Sequence, residues 1–193
     1  CNTATAVAIE SLRTHYPQLP FIGVEPALKP ALAQTQTGWV GVIGTQGTLN
    51  SSRFDKLLKT VQTDALPKQG HFVLQACQGL ALAIEQQTEK SSSDTAEIEK
   101  LCAKYIQAMG LFGQASGQID TLVLGCTHYI FVQAILQKLV GADVQLISTS
   151  EAVAKQTKRL ISPAPEAPRT QAGSSKPEHI ALWTTGALSS LQS

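Results

Sequence analysis

IDTLVLGC, residues 119–126, is the stretch that decides the fold. Residues 122–124 carry only Leu and Val side chains, as expected of a central parallel strand that is covered on both faces. The apolar run stops at Cys126 and is followed at once by the polar residues Thr127 and His128. In open α/β sheets ligands bind at the carboxyl ends of such strands. The stretch therefore predicts an α/β sheet with polar side chains at its ligand-binding edge.

Segments typical of strands and helices alternate on both sides of this stretch. Further strands are predicted at residues 21–25, 39–45, 70–77, 143–148 and 179–186. Helices are predicted near the start and at residues 52–62, 79–90, 95–110, 130–140 and 150–161, with loops at 91–94 and in the proline-rich segment 162–178. This alternation predicts a doubly wound parallel sheet, and we expect more than one such sheet.

Composition and charge exclude several classes of partner. Fifteen basic and 14 acidic residues give a formal charge of +1, so nucleic acid and anionic membranes are not the expected partners. No apolar run reaches about 18 residues, and no leader sequence is recognisable. The four cysteines lack the spacing of a zinc site, which favours free thiols in a reducing cytoplasm over disulfides. A soluble, cytoplasmic protein that binds a small molecule is expected.

The first residues contain a second cysteine in a setting similar to that of Cys126. Cys1, Asn2 and Thr3 lead into a helical pattern of apolar residues, but no buried strand precedes them. We therefore expect the chain to be a fragment that lacks an N-terminal portion. Asn2 and Thr3 are interpreted either as helix caps or as ligands for the carboxylate and ammonium groups of a substrate.

Two cysteines on opposite sides of one ligand are suited to one type of chemistry. Inversion of a stereocentre by proton transfer needs a base on one face of the carbon atom and an acid on the other. Cysteine can serve as either because its pKa of about 8.5 is easily shifted. Cys77 and Cys102 lie in apolar runs without titratable neighbours, and we expect them to be inert core residues.

Other polar residues admit both a functional and a structural interpretation. His128 would share a side with Cys126 in an extended backbone and orient its thiol, although a lone histidine is more often structural. Residues 44–52, GTQGTLNSS, including Thr48, form either an anion cradle or an ordinary helix cap. Glu85 is either a site residue or a carboxylate on a helix surface.

Four motifs occur in an order that resembles the cofactor-independent aspartate/glutamate racemase family. They are CNTATAVA at 1–8, GVEPALKPA at 23–31, GVIGTQGTLNS at 41–51 and LGCTHY at 124–129. The resemblance runs from Cys1 to about Leu160. It implies two pseudo-symmetric, doubly wound α/β domains, the first incomplete at its N-terminus and formed by residues 1–25 and 148–193, the second by 26–147.

The resemblance also implies an activity and a set of site residues. The expected reaction interconverts L- and D-glutamate for peptidoglycan without a cofactor or metal, and the family likeness allows a homodimer. Cys1 and Cys126 match the two catalytic cysteines, and Glu85 matches an acidic residue that supports the catalytic His128. The positions that match substrate contacts are Asn2, Thr3, Thr48, Thr127 and His128.

Departures from the family pattern carry a further expectation. An Asp-Ser pair and a Tyr-Gly pair that precede the first cysteine in the family are missing, so we expect the 193-residue chain to be inactive alone. Ile130 replaces a usual proline, and Ser148 stands where the family has a carboxylate.

Three other functions remain open at this point. A racemase of aspartate or hydantoin would need the same two thiols with a different pocket. A fragment that binds an amino acid without catalysis is the second. The third is a hydrolase with Cys126 as nucleophile and His128 as base, although that interpretation leaves Cys1 unexplained and offers no evident orienting acid.

Overall fold

A single parallel sheet forms the centre of the protein in a computed structural model, which describes residues 1–64, 70–90 and 95–161. Its strands are β1 (Trp39–Gly44), β2 (His71–Ala76), β3 (Thr121–Gly125) and β4 (Gln145–Ile147). They lie in the order β2-β1-β3-β4, with all neighbours parallel. The α/β class and these four predicted strands are confirmed. The predictions at 91–94, 162–178 and 179–186 fall outside the described residues.

Helices connect the strands along the described chain. They are α1 (Asn2–His15), α2 (Leu28–Gln34), α3 (Gln46–Leu49), α4 (Ser52–Asp64), α5 (Leu80–Lys90), α6 (Ala96–Ala108), α7 (Gln133–Val140) and α8 (Ser150–Ile161), with a 3-10 helix at Thr127–Val132. The predicted helices are confirmed, except that the one after β3 starts in the tighter 3-10 form. In the described ranges no helix has the length and apolarity needed to cross a membrane.

Alternate side chains of the central strands face two separate cores. Leu122 and Leu124 of β3 pack in one cluster with residues of α5, α6 and α7, and Val123 packs in the other with residues of α2 and α4. All three side chains are at most 2% exposed. Successive strand residues point to opposite faces, so a strand covered on both sides must be apolar at every position. The predicted double layer of helices is confirmed.

Asp120, directly before β3, anchors the loop that leads from α2 into β1. Its carboxylate accepts hydrogen bonds from the Thr35 hydroxyl at 2.5 Å, from the backbone N–H groups of Gln36 and Thr37 at 2.7 and 2.9 Å, and from the Thr121 hydroxyl at 3.0 Å. Burial opposes ionisation of this carboxyl, which is 2% exposed, but the hydrogen bonds outweigh burial and lower its pKa. Asp120 therefore fixes two neighbouring strands relative to each other.

The predicted strand at residues 21–25 is wrong. No described strand pairs with this segment, and side chains satisfy part of its backbone and carboxylate instead. The Val24 N–H donates to Thr5 Oγ1 at 2.9 Å, and Arg53 Nε of α4 donates to Glu25 at 2.5 Å. Apolar β-branched composition predicts burial against a sheet, but a strand also needs a neighbour for its backbone hydrogen bonds. The segment instead ties α1 to α4.

Gly125, at the end of β3, is expected to resist substitution. A Cβ atom at this position would lie 2.6 Å from the Ile43 carbonyl oxygen of β1, which belongs to the backbone and cannot rotate away. We expect Gly125→Ala to lower the free energy of unfolding by about 2–3 kcal/mol, because the strands must separate locally. Urea unfolding of the variant beside the unchanged chain measures this loss. Equal midpoints and slopes would contradict the close approach of the two strands.

Candidate active site

The carboxyl ends of β1 and β3 meet at the topological switch point of the sheet. After β1 the chain moves to β2 on one side, whereas β3 lies on the other side of β1. Gly44 and Gly125 are paired in register at the ends of these two strands, so Thr45 and Cys126 follow side by side. A crevice outside the strand ends at such a point is where open α/β sheets bind ligands.

Three threonine hydroxyls join the start of α1 to this edge. Thr3 Oγ1 lies 2.8 Å from Thr45 Oγ1 and 3.0 Å from Thr48 Oγ1, and the last two oxygens are 2.9 Å apart. The Thr48 N–H also bonds to Thr45 Oγ1, which caps α3. Each hydroxyl can donate one hydrogen bond and accept others, so a closed triangle satisfies all three at once. The triangle holds the helix that begins after Cys1 against the end of β1.

The structure brings the two predicted thiols to the same edge of the sheet. Cys126 directly follows β3 and is 9% exposed, whereas Cys1 precedes α1 and is exposed. The bonds of Thr3 to Thr45 and Thr48 hold the start of α1, directly after Cys1, at the end of β1, beside the end of β3 that Cys126 follows. The buried Cys126 and the exposed Cys1 therefore lie at the same edge of the sheet.

A histidine and a carboxylate extend from Cys126 as a chain of contacts. His128 Nδ1 lies 3.8 Å from Cys126 Sγ, and His128 Nε2 lies 3.7 Å from Glu85 Oε2 on α5. The side chains of His128 and Glu85 are 35% and 61% exposed. A carboxylate on one ring nitrogen orients the imidazole toward the group on the other. The arrangement can therefore move a proton between the thiol and His128.

The environment of Cys126 favours the neutral thiol. Burial raises the pKa of this thiol above its usual value, although a hydrogen bond from the backbone N–H of His128 favours the thiolate. Because the net shift is upward, Cys126 is protonated near neutral pH. It is therefore an acid at rest and needs a neighbouring base to become a thiolate.

The remaining residues predicted to contact the substrate differ in how deeply they are buried. Thr48 is 2% exposed and Thr127 is exposed on the 3-10 helix. Asn2 is 4% exposed, and neither polar atom of its side chain has a hydrogen-bond partner in the described structure. The helix-cap interpretation of residues 44–52 is confirmed by Thr45, whereas no side chain caps α1.

Cys77 and Cys102 are core residues, as the sequence predicts. They are 2% and 0% exposed. Burial raises the pKa of the Cys77 thiol to about 12 and that of Cys102 to about 11, so both remain neutral. Across residues 1–64, 70–90 and 95–161 no three His, Cys, Asp or Glu side chains are grouped to hold a metal ion. The expected independence from metal stays a prediction.

Sequence reasoning included Thr45 in the candidate anion cradle at 44–52 but not among the substrate contacts, although it forms one corner of the hydroxyl triangle. Its signal is its position directly after Gly44, where a buried strand ends and a polar residue begins. The same signal identified Cys126 after β3. Comparing the residues that follow β1 and β3 identifies both Thr45 and Cys126.

A family model for Asp/Glu/hydantoin racemases matches residues 1–157 of the chain. A glutamate racemase of Pseudomonas putida (strain W619) is 42% identical over 161 residues, which are 83% of this chain and 56% of that protein. A glutamate racemase of Herpetosiphon aurantiacus is 39% identical over 164 residues, covering 85% of this chain and 59% of the relative. The chain thus spans about half the length of the curated relatives it matches.

Solved structures show the same fold. The structure of a glutamate racemase isoform from Bacillus anthracis has a TM-score of 0.65 at 31% identity and covers 83% of this chain and 55% of its own. That of Escherichia coli glutamate racemase, in complex with L-glutamate and the activator UDP-MurNAc-ala, has a TM-score of 0.68 at 25% identity and covers 90% and 60%.

Proposed function

This chain belongs to the Asp/Glu/hydantoin racemase family, and on that premise we propose that its protein interconverts L- and D-glutamate by proton transfer between two cysteines. The observation that carries the proposal is the position of Cys126 at the switch point of the sheet, with His128 and Glu85 behind it. It is supported by Thr3, which holds the helix that begins after Cys1 to the end of the neighbouring strand β1. An acid and a base on two sides of one crevice meet the requirement for inverting a carbon centre.

In one direction Cys1 is the base and Cys126 is the acid. The Cys1 thiolate takes the Cα proton of the substrate, and the electron pair of the broken C–H bond passes into the α-carboxylate. The Cys126 thiol then donates its proton to the opposite face of Cα. The raised pKa of Cys126 suits this step because the group must be protonated when the substrate binds. The enzyme ends with a Cys1 thiol and a Cys126 thiolate.

In the other direction Cys126 must first lose its proton. His128 Nδ1, at 3.8 Å from the sulfur, is the group placed to accept it. Glu85 stabilises the imidazolium that forms, because its carboxylate lies 3.7 Å from Nε2. The Cys126 thiolate then takes the Cα proton of the second enantiomer while Cys1 returns one. The two directions therefore differ in their need for His128 and Glu85.

Glu85→Gln is expected to lower kcat in the direction that starts from the Cys126 thiolate by about tenfold or more, whereas kcat/KM must change equally in both directions because the two enantiomers have equal energy. The substitution keeps the size of the side chain but removes the charge that supports the His128 imidazolium. Initial rates from each pure enantiomer, followed by circular dichroism at substrate levels below KM and above it, separate kcat from KM. Equal kcat values for the variant and the unchanged enzyme in both directions would contradict the relay.

The groups proposed to hold the substrate are Asn2, Thr3, Thr48, Thr127 and His128. Hydroxyl and amide groups fit the α-carboxylate, α-ammonium and side-chain carboxylate of an amino acid. Their support is the position of Thr3 and Thr48 in the hydroxyl triangle, and of Thr127 and His128 next to Cys126. The buried amide of Asn2 has no hydrogen-bond partner in the described structure, which supports a ligand or water as its partner.

We place the activity in a longer, two-domain protein and propose that the 193-residue chain is inactive alone. Two observations support this proposal. The chain matches about half the length of each relative, and the apolar side chain of Val7 on α1 is 81% exposed. The proposed domains are residues 1–25 with 148–193, and 26–147. All four described strands lie within 39–147, which supports the second domain.

The proposed setting is the bacterial cytoplasm, where D-glutamate would be supplied for peptidoglycan. The UDP-MurNAc-ala activator in the Escherichia coli structure supports this link to cell-wall precursors. The four free thiols fit a reducing compartment. The expected homodimer stays a prediction.

A second function, a Cys-His hydrolase, gains one observation. Glu85 lies where an orienting acid for His128 is needed, so a nucleophile, a base and an acid lie in order. However, the raised pKa of Cys126 opposes the thiolate that such a hydrolase needs, and Cys1 has no part in it. Release of a chromophore in a burst from an activated ester would favour this function.

The proposed function is tested with L-glutamate, L-aspartate and a chiral hydantoin as separate substrates. We expect chiral chromatography to detect the opposite enantiomer of glutamate with the full-length protein, and none with the 193-residue chain. Conversion of aspartate or hydantoin alone would move the assignment to a sister racemase. Binding of D-glutamate without conversion in the full-length protein would favour a non-catalytic role.

A further inference from the structure

Residues 77–79 form the turn from which α5 begins. The Leu80 N–H bonds to the Cys77 carbonyl at 3.4 Å and the Ala83 N–H bonds to the Gly79 carbonyl at 2.9 Å. Gly79 has φ +82°, a left-handed conformation that favours glycine, with no other atom within 4 Å of a Cβ at this position. The direction of α5 is therefore set by a tight turn whose carbonyl groups are open to further donors.

Two buried tyrosines donate their hydroxyl groups to this turn from different elements. Tyr105 of α6 donates to the Gln78 carbonyl at 2.6 Å, and Tyr129 of the 3-10 helix makes a longer bond of 3.5 Å to the Cys77 carbonyl. The two side chains are 7% and 0% exposed, and both rings lie in the core cluster between the sheet and α5 to α7. A buried tyrosine hydroxyl normally finds a partner, and here both partners belong to one turn.

The turn connects directly to the relay behind Cys126. Tyr129 is the neighbour of His128 in the chain, and its N–H bonds to the Cys126 carbonyl at 3.1 Å. Glu85 lies on α5 only six residues after the turn, and its carboxylate meets His128 Nε2 at 3.7 Å. Any rotation of α5 about its first turn would move Glu85 relative to His128.

We propose that Tyr105 and Tyr129 are positioning residues that clamp the 77–79 turn and thereby hold Glu85 of α5 against His128. The inference rests on the proposed function, because it concerns how the Cys126 half of that site is assembled. Neither tyrosine touches the reacting atoms. Each acts by holding the start of α5. The position of α5 in turn affects the charges around the Cys126 thiol, through Glu85 and His128.

The test removes only the two hydroxyl groups, by Tyr105→Phe and Tyr129→Phe, in the full-length protein. Tyr16→Phe is the matched control, because Tyr16 is 49% exposed and follows the C-terminal end of α1. The rate of alkylation by iodoacetamide is measured for Cys1 and Cys126 separately, by peptide mass spectrometry, between about pH 6 and 9. This readout does not depend on racemisation.

We expect alkylation of Cys126 to slow about threefold at neutral pH in each of the two variants, with its pH profile moved upward by about half a unit. The reason is that His128 without Glu85 supports the thiolate less well. The alkylation rate of Cys1 should be the same in these variants as in the unchanged protein. In Tyr16→Phe the alkylation rates of both cysteines should be unchanged. Glu85→Gln should slow the alkylation of Cys126 by a similar factor. The double variant Tyr105→Phe/Glu85→Gln should show no further slowing.

Three results would overturn the proposal. Unchanged alkylation of Cys126 in both tyrosine variants, with slowing in Glu85→Gln, would show that the clamp does not position Glu85. Equal changes at Cys1 and Cys126 would indicate general loosening of the core. If the fold reductions in Cys126 alkylation caused by Tyr105→Phe and Glu85→Gln multiplied in the double variant, the two residues would act independently. Absence of any effect in Glu85→Gln would instead remove the relay on which the proposed function depends.

Discussion

Replacing Cys126 with Ala is expected to abolish interconversion of L- and D-glutamate in the full-length protein. General acid–base catalysis contributes on the order of 10²- to 10⁴-fold, and the loss should reach the upper part of that range. The methyl group of Ala can neither donate the proton to the face opposite Cys1 nor remove one there. Formation of the opposite enantiomer from each pure enantiomer, followed by chiral chromatography, measures the loss in both directions.

The matched control for this substitution is Cys102→Ala. Cys102 is also a buried cysteine in the same core cluster, but it lies on α6 away from the crevice and is 0% exposed. Its replacement removes one sulfur from the core and should cost about 1–2 kcal/mol of stability while racemisation continues. If both variants retained the same rate, Cys126 would not be the acid and base assigned here.

Asp120→Ala is expected to cause the largest loss of stability, about 3–5 kcal/mol. Four hydrogen-bond donors, two buried hydroxyl groups and two backbone N–H groups, lose the buried carboxylate that they share as acceptor. Chemical unfolding in urea measures the change. Asp143→Ala, at an exposed aspartate, is the control and should stay within about 0.5 kcal/mol. Similar losses in the two variants would contradict the anchoring role of Asp120.

The contribution of Asp120 to stability should also depend on pH. Because the pKa of Asp120 is lower in the folded protein than in the unfolded chain, its ionised form stabilises the fold at every pH above the unfolded value of about 3.9. That contribution is lost as the pH falls from there through the folded pKa. Urea unfolding of the unchanged chain and of Asp120→Asn between about pH 3 and 7 should therefore give curves that converge toward acid. A constant difference would contradict the lowered pKa.

The parallel sheet could be predicted because burial on both faces leaves a direct mark on the sequence. Residues 122–124 have no polar side chain, and β1 is almost as apolar, since each face needs its own core. The segment at 21–25 has a similar composition but forms no strand. Composition reports burial, whereas a strand also depends on a neighbouring backbone, and that neighbour is not encoded within the segment.

The candidate site could be predicted in part for the same kind of reason. Cys126 and His128 are two residues apart, so their contact is local and follows from the end of β3. The contact between His128 and Glu85 joins residues 43 positions apart, and it exists only because α5 packs beside the 3-10 helix. The bonds of Thr3 to Thr45 and Thr48 likewise span more than 40 residues. Sequence periodicity does not specify such contacts.

The position of deuterium after racemisation in heavy water tests the two-cysteine mechanism most directly. L-glutamate is incubated with the full-length protein in D₂O, and the Cα position of both enantiomers is followed by NMR and mass spectrometry during the first few per cent of conversion. We predict deuterium at Cα in nearly all of the D-glutamate formed, while the remaining L-glutamate keeps its proton, because one thiol removes the proton and the other donates deuterium. Transfer of the original proton into D-glutamate, or equally fast exchange into the recovered L-glutamate, would contradict two separate bases.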